Sequence, residues 1–176
     1  GAWVARNLVR EGSPPVIFDL ASDPRRLRLI MSEEELARIT FVTGDITDLE
    51  AIERTLDEHQ ITNIIHLAAL QVPFCRANPP LGARVNVVGT VNVFEAVARR
   101  KDRIGTLVYA SSVAVYDAAD AGEAGGVVRH GAEGHPANLY GVFKQANEGT
   151  ARIYWQDNRV PSIGLRPYTV YGPGRD

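Results

Sequence analysis

The sequence has little of what disulfide-bonded, membrane-spanning or nucleic-acid-binding proteins need. Its single cysteine, Cys75, cannot form a disulfide within the chain, which predicts a reducing compartment, the cytoplasm. It has no apolar run long enough to cross a bilayer, so no membrane partner is expected. Its longest basic run is Arg99–Lys101, which argues against a nucleic-acid partner.

The chain does contain the composition and the pattern of a single globular α/β domain. Of its 176 residues, 45% are hydrophobic, enough for a core. Short apolar runs alternate with longer amphipathic ones, which is typical of a doubly wound parallel sheet covered by helices. We predict strands at Val16–Asp19, Thr40–Thr43, Asn63–Leu67, Gly105–Ala110 and Ser162–Leu165, helices at Ala2–Glu11, Ser32–Arg38, Leu49–His59, Leu81–Lys101 and Asn138–Asn158, and a long loop at Asp117–Pro136.

The two ends of the chain predict a fragment of a longer protein. Gly1 is followed directly by a helix, whereas a doubly wound fold has its first strand near the middle of the sheet. The last residues, Tyr171–Asp176, are rich in turn formers and complete no element. We therefore expect the first strand to be missing and the isolated chain to be poorly soluble.

Tyr140 and Lys144 are the most informative residues of the sequence. Residues four apart lie on one helix face, so the ammonium would lie beside the phenol. A nearby cation favours the phenolate form of a group whose ordinary pKa is about 10. Such a pair could accept a proton from a substrate alcohol, although the same spacing also fits an ordinary solvated helix face.

A second candidate site follows the predicted strand that ends at Ala110. The segment Ser111–Tyr116 begins there, and the active sites of open parallel sheets lie at the carboxyl ends of strands. Ser112 could therefore reach a substrate. His66 also lies at a strand end, but with no metal partner nearby it is expected to pack, and no metal site is predicted.

These motifs together resemble the NAD-dependent epimerase/dehydratase family of extended short-chain dehydrogenases/reductases. The resemblance implies a Rossmann-type NAD(P)-binding domain over residues 1–176, without the C-terminal substrate-binding part. It rests on these residues and segments: Gly1, Asp19, Gly44–Ile46, His66–Gln71, Asn86, Ser111–Tyr116, Tyr140, Lys144, Leu165–Tyr168 and Tyr171–Gly174.

The resemblance assigns roles to three catalytic residues. Ser112 would hydrogen-bond the reacting oxygen, and Tyr140 would shuttle the proton. Lys144 would hold the nicotinamide ribose and lower the pKa of the tyrosine. Hydride would then move between the substrate carbon and the nicotinamide ring.

The resemblance also implies a set of cofactor-binding residues. Gly1 matches the third glycine of a Gly-x-x-Gly-x-x-Gly motif, at a helix start that favours an anion. A carboxylate at Asp19 would bind the ribose hydroxyls and favour NAD, while Arg25 and Arg26 leave NADP as the alternative. The full set is Gly1, Asp19, Asp45, Ile46, Leu67, Ala68, Ala69, Gln71, Asn86, Tyr140, Lys144 and Tyr168.

The chain departs from the family pattern at three places, the first two of which bear on the subfamily and the third on the reaction. Asp117 replaces a glycine that commonly follows Val-Tyr, and Phe143 replaces a Ser or Thr. Val113 and Ala114 stand where nucleotide-sugar dehydratases usually carry an acidic pair. Neutral side chains cannot protonate a leaving hydroxyl, so 4,6-dehydration is disfavoured.

The expected function is that of an NAD-dependent oxidoreductase or epimerase acting on a secondary alcohol of a sugar or nucleotide sugar. One alternative is a simple NAD-dependent sugar or uronate dehydrogenase, and another is a redox-inactive NAD-binding regulator. The expected partners are the sugar substrate and a second copy of the chain. The resemblance implies the second copy, because many family members dimerise through the helices that match Leu81–Lys101 and Asn138–Asn158.

Overall fold

The computed structural model describes residues 1–117, 128 and 132–173. The predicted loop at Asp117–Pro136 therefore lies largely outside the described residues, as do Gly174–Asp176. The strands are β1 (Val16–Asp19), β2 (Thr40–Thr43), β3 (Asn63–His66), β4 (Thr106–Ala110) and β5 (Ser162–Leu165). The helices are α1 (Ala2–Arg10), α2 (Arg25–Arg28), α3 (Glu33–Leu36), α4 (Leu49–Glu58), α5 (Val72–Ala77), α6 (Pro79–Ala83), α7 (Gly89–Ala98) and α8 (Leu139–Asn158), with a π-helical turn at Arg84–Val88 and a 3₁₀ turn at Val113–Val115.

The strands of the described residues form two sheets, and within each sheet they run parallel, which confirms the predicted α/β fold class. β1 pairs with β2, with Val16 opposite Thr40. The other three strands form a second sheet in the order β3-β4-β5, in which Ile65, Val108 and Ile163 lie opposite one another. In the described part of the chain no strand joins the two sheets.

The larger core lies between β3-β4-β5 and helices α4, α7 and α8. Leu107 and Tyr109 point from β4 toward this core, where the Tyr109 ring meets Phe94 edge to face at 5.7 Å. Alternation along β4 buries these two side chains on one face. The buried members are Ile52, Leu56, Val93, Phe94, Ala96, Val97, Ile104, Leu107, Tyr109, Ala151 and Val160.

A smaller core packs α1 onto α2, α3 and the β1-β2 pair. Ala5 and Val9 are one helical turn apart and form the buried stripe of α1. They meet Leu27, Met31, Leu36 and Ile39. Each sheet therefore has its own apolar cluster of buried residues.

Polar caps set three helix starts. Asp48 accepts from the Ala51 N–H and caps the start of α4. Ser32 forms a capping box with Glu35 at α3, and Asn138 accepts from the Gly141 N–H at the start of α8. Because Ser32 and Asn138 act as caps, α3 and α8 each begin one residue later than predicted.

The prediction of one regular helix at Leu81–Lys101 is wrong in detail. α6 begins at Pro79, since proline suits the first turn of a helix, and α7 ends at Ala98. Between them the chain makes the π-helical turn. The short helices α2 and α5 were not predicted, because four to six residues carry too little periodicity. None of the helices in the described ranges is both long and apolar enough to span a membrane.

Candidate active site

Helix α8 brings Tyr140 and Lys144 together. Asn138 caps the helix, so Tyr140 lies in its first turn and Lys144 in the next. The Lys144 Nζ lies 5.6 Å from the centroid of the Tyr140 ring. The proximity expected from the i, i+4 spacing is therefore present.

Lys144 is buried at the carboxyl end of β4. It is only 2% exposed, and its Nζ donates to the carbonyl oxygen of Ala110 at 2.7 Å. Burial lowers the pKa of Lys144 to about 8, because desolvation disfavours the ammonium. The helix face that carries Lys144 is thus attached to the last residue of the strand.

Ser112 begins the turn that follows β4. Its hydroxyl accepts from the Ala114 N–H at 3.1 Å and so caps the 3₁₀ turn. The Val113 N–H donates to the carbonyl oxygen of Pro167 at 3.2 Å, which connects this turn to the segment after β5. Ser112 therefore lies where the ends of two neighbouring strands meet.

A close approach at Gly141 brings α8 against the Ser112 turn. A Cβ at Gly141 would overlap the carbonyl oxygen of Ala114 and lie 2.8 Å from the Pro136 Cβ. Only a residue without a side chain allows this contact. Since Tyr140 precedes Gly141, the contact brings the start of α8, which carries Tyr140, to the turn that begins at Ser112.

The cofactor residues predicted from the sequence lie mostly at the carboxyl ends of strands. Asp19 ends β1 and is exposed, and the Asp45 carboxylate, after β2, accepts from the Thr47 N–H at 2.8 Å. Gly1 caps α1, where a Cβ would lie 3.9 Å from the Leu67 side chain. The α1 N-terminus and the segment after β3 are thus neighbours. Of the remaining residues, Leu67, Ala68, Gln71 and Tyr168 are exposed, whereas Ile46, Ala69 and Tyr140 are half-buried.

Asn86 is fully buried in the π-helical turn. Its amide oxygen accepts from the Leu70 N–H at 2.7 Å, and its amide nitrogen donates to the Leu70 carbonyl oxygen at 2.9 Å and to the Cys75 sulfur at 3.4 Å. Asn86 therefore holds the backbone of the segment after β3. That Asn86 also faces a cofactor stays a prediction.

His66 packs in the interior, as expected. Thr90 donates its hydroxyl to the Asn86 carbonyl oxygen, so it accepts from the Nε2–H of His66 at 2.9 Å. Burial, with a smaller contribution from the charge of Lys144, lowers the pKa of His66 to about 4. Throughout the described ranges no three potential metal-ligating side chains lie close enough to hold an ion.

The sequence motifs did not include Glu148, and they included Arg166 only as a member of the Leu165–Tyr168 segment. Arg166 follows β5 and donates to both oxygens of the Glu148 carboxylate at 2.7 and 2.6 Å. The Glu148 carboxylate also accepts from Ser111, the neighbour of Ser112. One signal was available, because Glu148 lies four residues after Lys144 and hence on the same face of α8.

Comparison with known proteins gives one family and consistent relatives. The model of the NAD dependent epimerase/dehydratase family matches residues 1–176. UDP-glucuronate 4-epimerase 5 of Arabidopsis thaliana is 32% identical over 157 residues, which is 89% of this chain and 35% of that protein. The chain thus spans well under two thirds of this curated relative.

Two solved structures of UDP-glucose 4-epimerases have the same fold. The Brucella ovis protein, solved in complex with NAD, superposes with a TM-score of 0.75 at 25% identity and covers 94% of this chain and 47% of that one. The Thermus thermophilus protein, also in complex with NAD, has a TM-score of 0.79 at 24% identity and covers 94% of this chain and 50% of that one. At 24% identity, the likeness to the Thermus thermophilus protein shows a shared fold only.

Proposed function

The chain belongs to the NAD dependent epimerase/dehydratase family, and from this we propose that the protein is an NAD-dependent 4-epimerase of a UDP-linked sugar or uronate. The observation that carries the proposal is the burial of Lys144 beside Tyr140 at the carboxyl end of β4. A phenol next to a buried ammonium is a suitable base for a sugar hydroxyl, because the positive charge favours its phenolate form. Residues 1–176 would form the NAD-binding domain.

In the proposed reaction, Tyr140 removes the proton of the substrate hydroxyl. The phenolate oxygen accepts that proton and returns it to the same oxygen when the alcohol re-forms. The Ser112 hydroxyl donates a hydrogen bond to the reacting oxygen, and the Lys144 ammonium stabilises the phenolate. When bound, NAD supplies reversible acceptance of a hydride.

The residues at the strand ends fit a dinucleotide. Asp19 offers an exposed carboxylate to ribose hydroxyls, and the small residues Ala68 and Ala69 leave the backbone after β3 open to close approach. Gly1 lies at the start of α1, where unpaired N–H groups favour a pyrophosphate. The Asp19 side chain would hold the adenosine ribose, the backbone at Ala68 and Ala69 the nicotinamide half, and the backbone N–H groups at the start of α1 the phosphates.

The position of Asp19 supports NAD over NADP. Asp19 ends β1 and is exposed. Its carboxylate would accept hydrogen bonds from the ribose hydroxyls and would repel a 2'-phosphate.

The relatives favour an epimerase over a simple dehydrogenase, since UDP-glucuronate 4-epimerase 5 shares 32% identity with the chain. The side chains after Ser112 also argue against dehydration. Val113 and Ala114 carry no proton to donate to a leaving hydroxyl.

We further propose a cytoplasmic homodimer. Apolar side chains on α6 to α8 are exposed, among them Leu81 (45%), Val142 (43%) and Ile153 (45%). Such a surface is typical of a helix-to-helix interface between copies. Cys75 is a free thiol, as a reducing compartment requires.

The test follows NADH absorbance and sugar identity together. The whole protein is incubated with NAD and either UDP-glucuronate or UDP-glucose. We expect the 4-epimer of the substrate to form without net formation of NADH. Tyr140→Phe should lower the turnover at least about a hundredfold, because the proton acceptor is removed. Tyr154→Phe is the matched control, since Tyr154 lies on the same helix and its hydroxyl donates to Glu95.

Each other outcome has a definite meaning. Accumulation of NADH with one substrate would identify a dehydrogenase. Bound NAD without turnover on any sugar would favour the redox-inactive regulator. A Tyr140→Phe variant as active as the parent would contradict the proposed base.

A further inference from the structure

Four side chains form a hydrogen-bonded cluster beside the proposed site. We call Ser111, Tyr116, Glu148 and Arg166 the Glu148 cluster. Ser111 donates to the Glu148 carboxylate at 2.5 Å, and Arg166 donates to it twice. Arg166 also donates to the hydroxyl of Tyr116 and stacks over its ring at 4.9 Å.

The cluster joins three segments that the chain keeps far apart. Ser111 follows β4, Tyr116 follows the 3₁₀ turn, Arg166 follows β5, and Glu148 lies in the middle of α8. The hydrogen-bonded pairs of the cluster are separated by 18 to 50 positions along the chain. One carboxylate therefore connects both strand ends to α8.

The cluster surrounds the turn that carries Ser112. Ser111 is covalently attached to Ser112, and Tyr116 lies at the other end of the turn. The backbone bond from Val113 to Pro167 crosses between the same two strand ends. The turn is thus attached to its neighbours at both ends and in the middle.

The cluster also orients α8. Gly141, Lys144 and Glu148 are spaced at i, i+3 and i+7, and so they share a helix face. Gly141 contacts Ala114, Lys144 donates to Ala110, and Glu148 accepts from Ser111. Of these three contacts, only that of Glu148 involves an anion that can accept several hydrogen bonds.

The charge of Glu148 suits this role. Its side chain is 21% exposed and that of Arg166 is 39% exposed, so the pair is partly screened. Partial burial would raise the pKa of Glu148, but the hydrogen bonds from Arg166 and Ser111 outweigh it and hold the pKa below its ordinary value. The carboxylate is therefore an acceptor at neutral pH.

We propose that Glu148 is a positioning residue, which holds the Ser112 turn against the helix that carries Tyr140 and Lys144. This inference rests on the proposed function for its catalytic consequence. Glu148 does not touch the reacting atoms. It acts through Ser111 and Arg166 on the placement of the Ser112 hydroxyl.

The test combines amide hydrogen exchange with steady-state kinetics on Glu148→Gln in the whole protein. We expect the amides of Val113, Val115 and Tyr116 to exchange at least about tenfold faster, because charge-assisted hydrogen bonds to the carboxylate are lost. We expect kcat to fall about tenfold while KM and the affinity for NAD change less than about twofold. Ser111→Ala, which removes one bond, should change exchange and kcat in the same direction to a smaller extent.

Glu95→Gln is the matched control. Glu95 likewise accepts from an arginine, Arg99, and from a tyrosine hydroxyl, that of Tyr154, but it lies on α7 and contacts none of the cluster. We expect this variant to match the parent both in the exchange of Val113 to Tyr116 and in kcat. A purely structural role of Glu148 would lower the melting temperature and leave kcat at permissive temperature unchanged.

The failure of this proposal is distinguishable from that of the proposed function. Unchanged exchange of the turn in Glu148→Gln overturns the positioning role, whatever the activity of the parent. Faster exchange with unchanged kcat in an active parent also overturns it. A parent that epimerises no sugar refutes the proposed function, and the exchange measurement alone then decides whether Glu148 holds the turn.

Discussion

Lys144 is a buried cation, whereas most lysines lie on the surface. It is 2% exposed and donates to the Ala110 carbonyl oxygen. The ammonium therefore has a hydrogen-bond partner but loses its hydration. This desolvation explains why the pKa of Lys144 is lowered. At the residue scale, the buried ammonium lies near Tyr140, and its lowered pKa makes its protonation sensitive to pH.

Replacement of Lys144 should increase stability and abolish turnover. The pKa is about 8 in the folded protein against an ordinary 10.5, so the unfolded chain binds more protons between these pH values. The free energy of unfolding should therefore rise by about 3 kcal/mol as pH increases from 8 to 10.5, a slope that Lys144→Met should remove. Urea unfolding across pH measures this, and Lys101→Met, at the only other lysine, is the exposed control. An identical slope in both variants would contradict the assignment to Lys144.

His66 should weaken the fold in mild acid. Its pKa is about 4 when folded against an ordinary 6.5, so the unfolded chain binds the proton first as pH falls. The contribution of neutral His66 is present above pH 6.5 and is lost between 6.5 and 4, amounting to about 3 kcal/mol. Thermal unfolding of His66→Gln against His59→Gln, at an exposed histidine, measures it. A pH dependence that persists unchanged in His66→Gln would refute this expectation.

At the scale of elements, one helix controls the geometry of the candidate site. α8 supplies Tyr140 and Lys144, and it approaches the Ser112 turn through Gly141. The close approach is possible only because Gly141 has no side chain. The position of Tyr140 relative to the Ser112 turn therefore depends on Gly141, which takes no part in the proposed reaction.

Two glycines on α8 should respond oppositely to alanine. In Gly141→Ala the new Cβ would overlap the Ala114 carbonyl oxygen, so the helix must shift, with a loss of about 1–3 kcal/mol and of most of the activity. Gly149→Ala meets nothing within 4 Å and should stabilise the helix by about 0.5–1 kcal/mol. Denaturation midpoints and turnover of both variants test this pair. Equal effects of the two substitutions would mean that the contact between α8 and the turn is not tight.

At the scale of the whole molecule, one face of the larger sheet lacks cover in the described ranges. Ile65 (43% exposed) and Ile163 (55%) lie opposite Val108 on this face, with Leu67 and Leu165 beside them. Parallel sheets are normally covered on both faces. This exposed apolar face is the physical reason to expect poor solubility of the isolated chain.

The 176-residue chain should therefore self-associate when prepared alone. We expect sedimentation velocity to show oligomers that increase with concentration, since exposed apolar faces associate. Ile163→Lys should reduce the association, while Leu29→Lys, at a 62% exposed leucine on the other sheet's side, should not. A monomer at all concentrations that unfolds cooperatively would contradict this expectation.

The sequence alone sufficed for the class of fold, the five strands and the longer helices α1, α4 and α8, because the relevant signals are local. The apolar runs of β1 to β5 and the longer amphipathic runs between them are patterns of neighbouring residues. The family resemblance, confirmed by the match over residues 1–176, also depends on short motifs. Helices too short for periodicity, such as α2 and α5, could not be recognised in this way.

Only the tertiary structure decided which polar residues act together. Asn86 is hydrogen-bonded to Leu70, which lies 16 positions away along the chain. Glu148 is hydrogen-bonded to Arg166, 18 positions away, and to Ser111, 37 positions away. Burial of Lys144 and His66 likewise depends on what other segments place around them. Local pattern determines whether a segment forms a helix or a strand, whereas contact, desolvation and charge depend on distances in space between residues that the chain keeps apart.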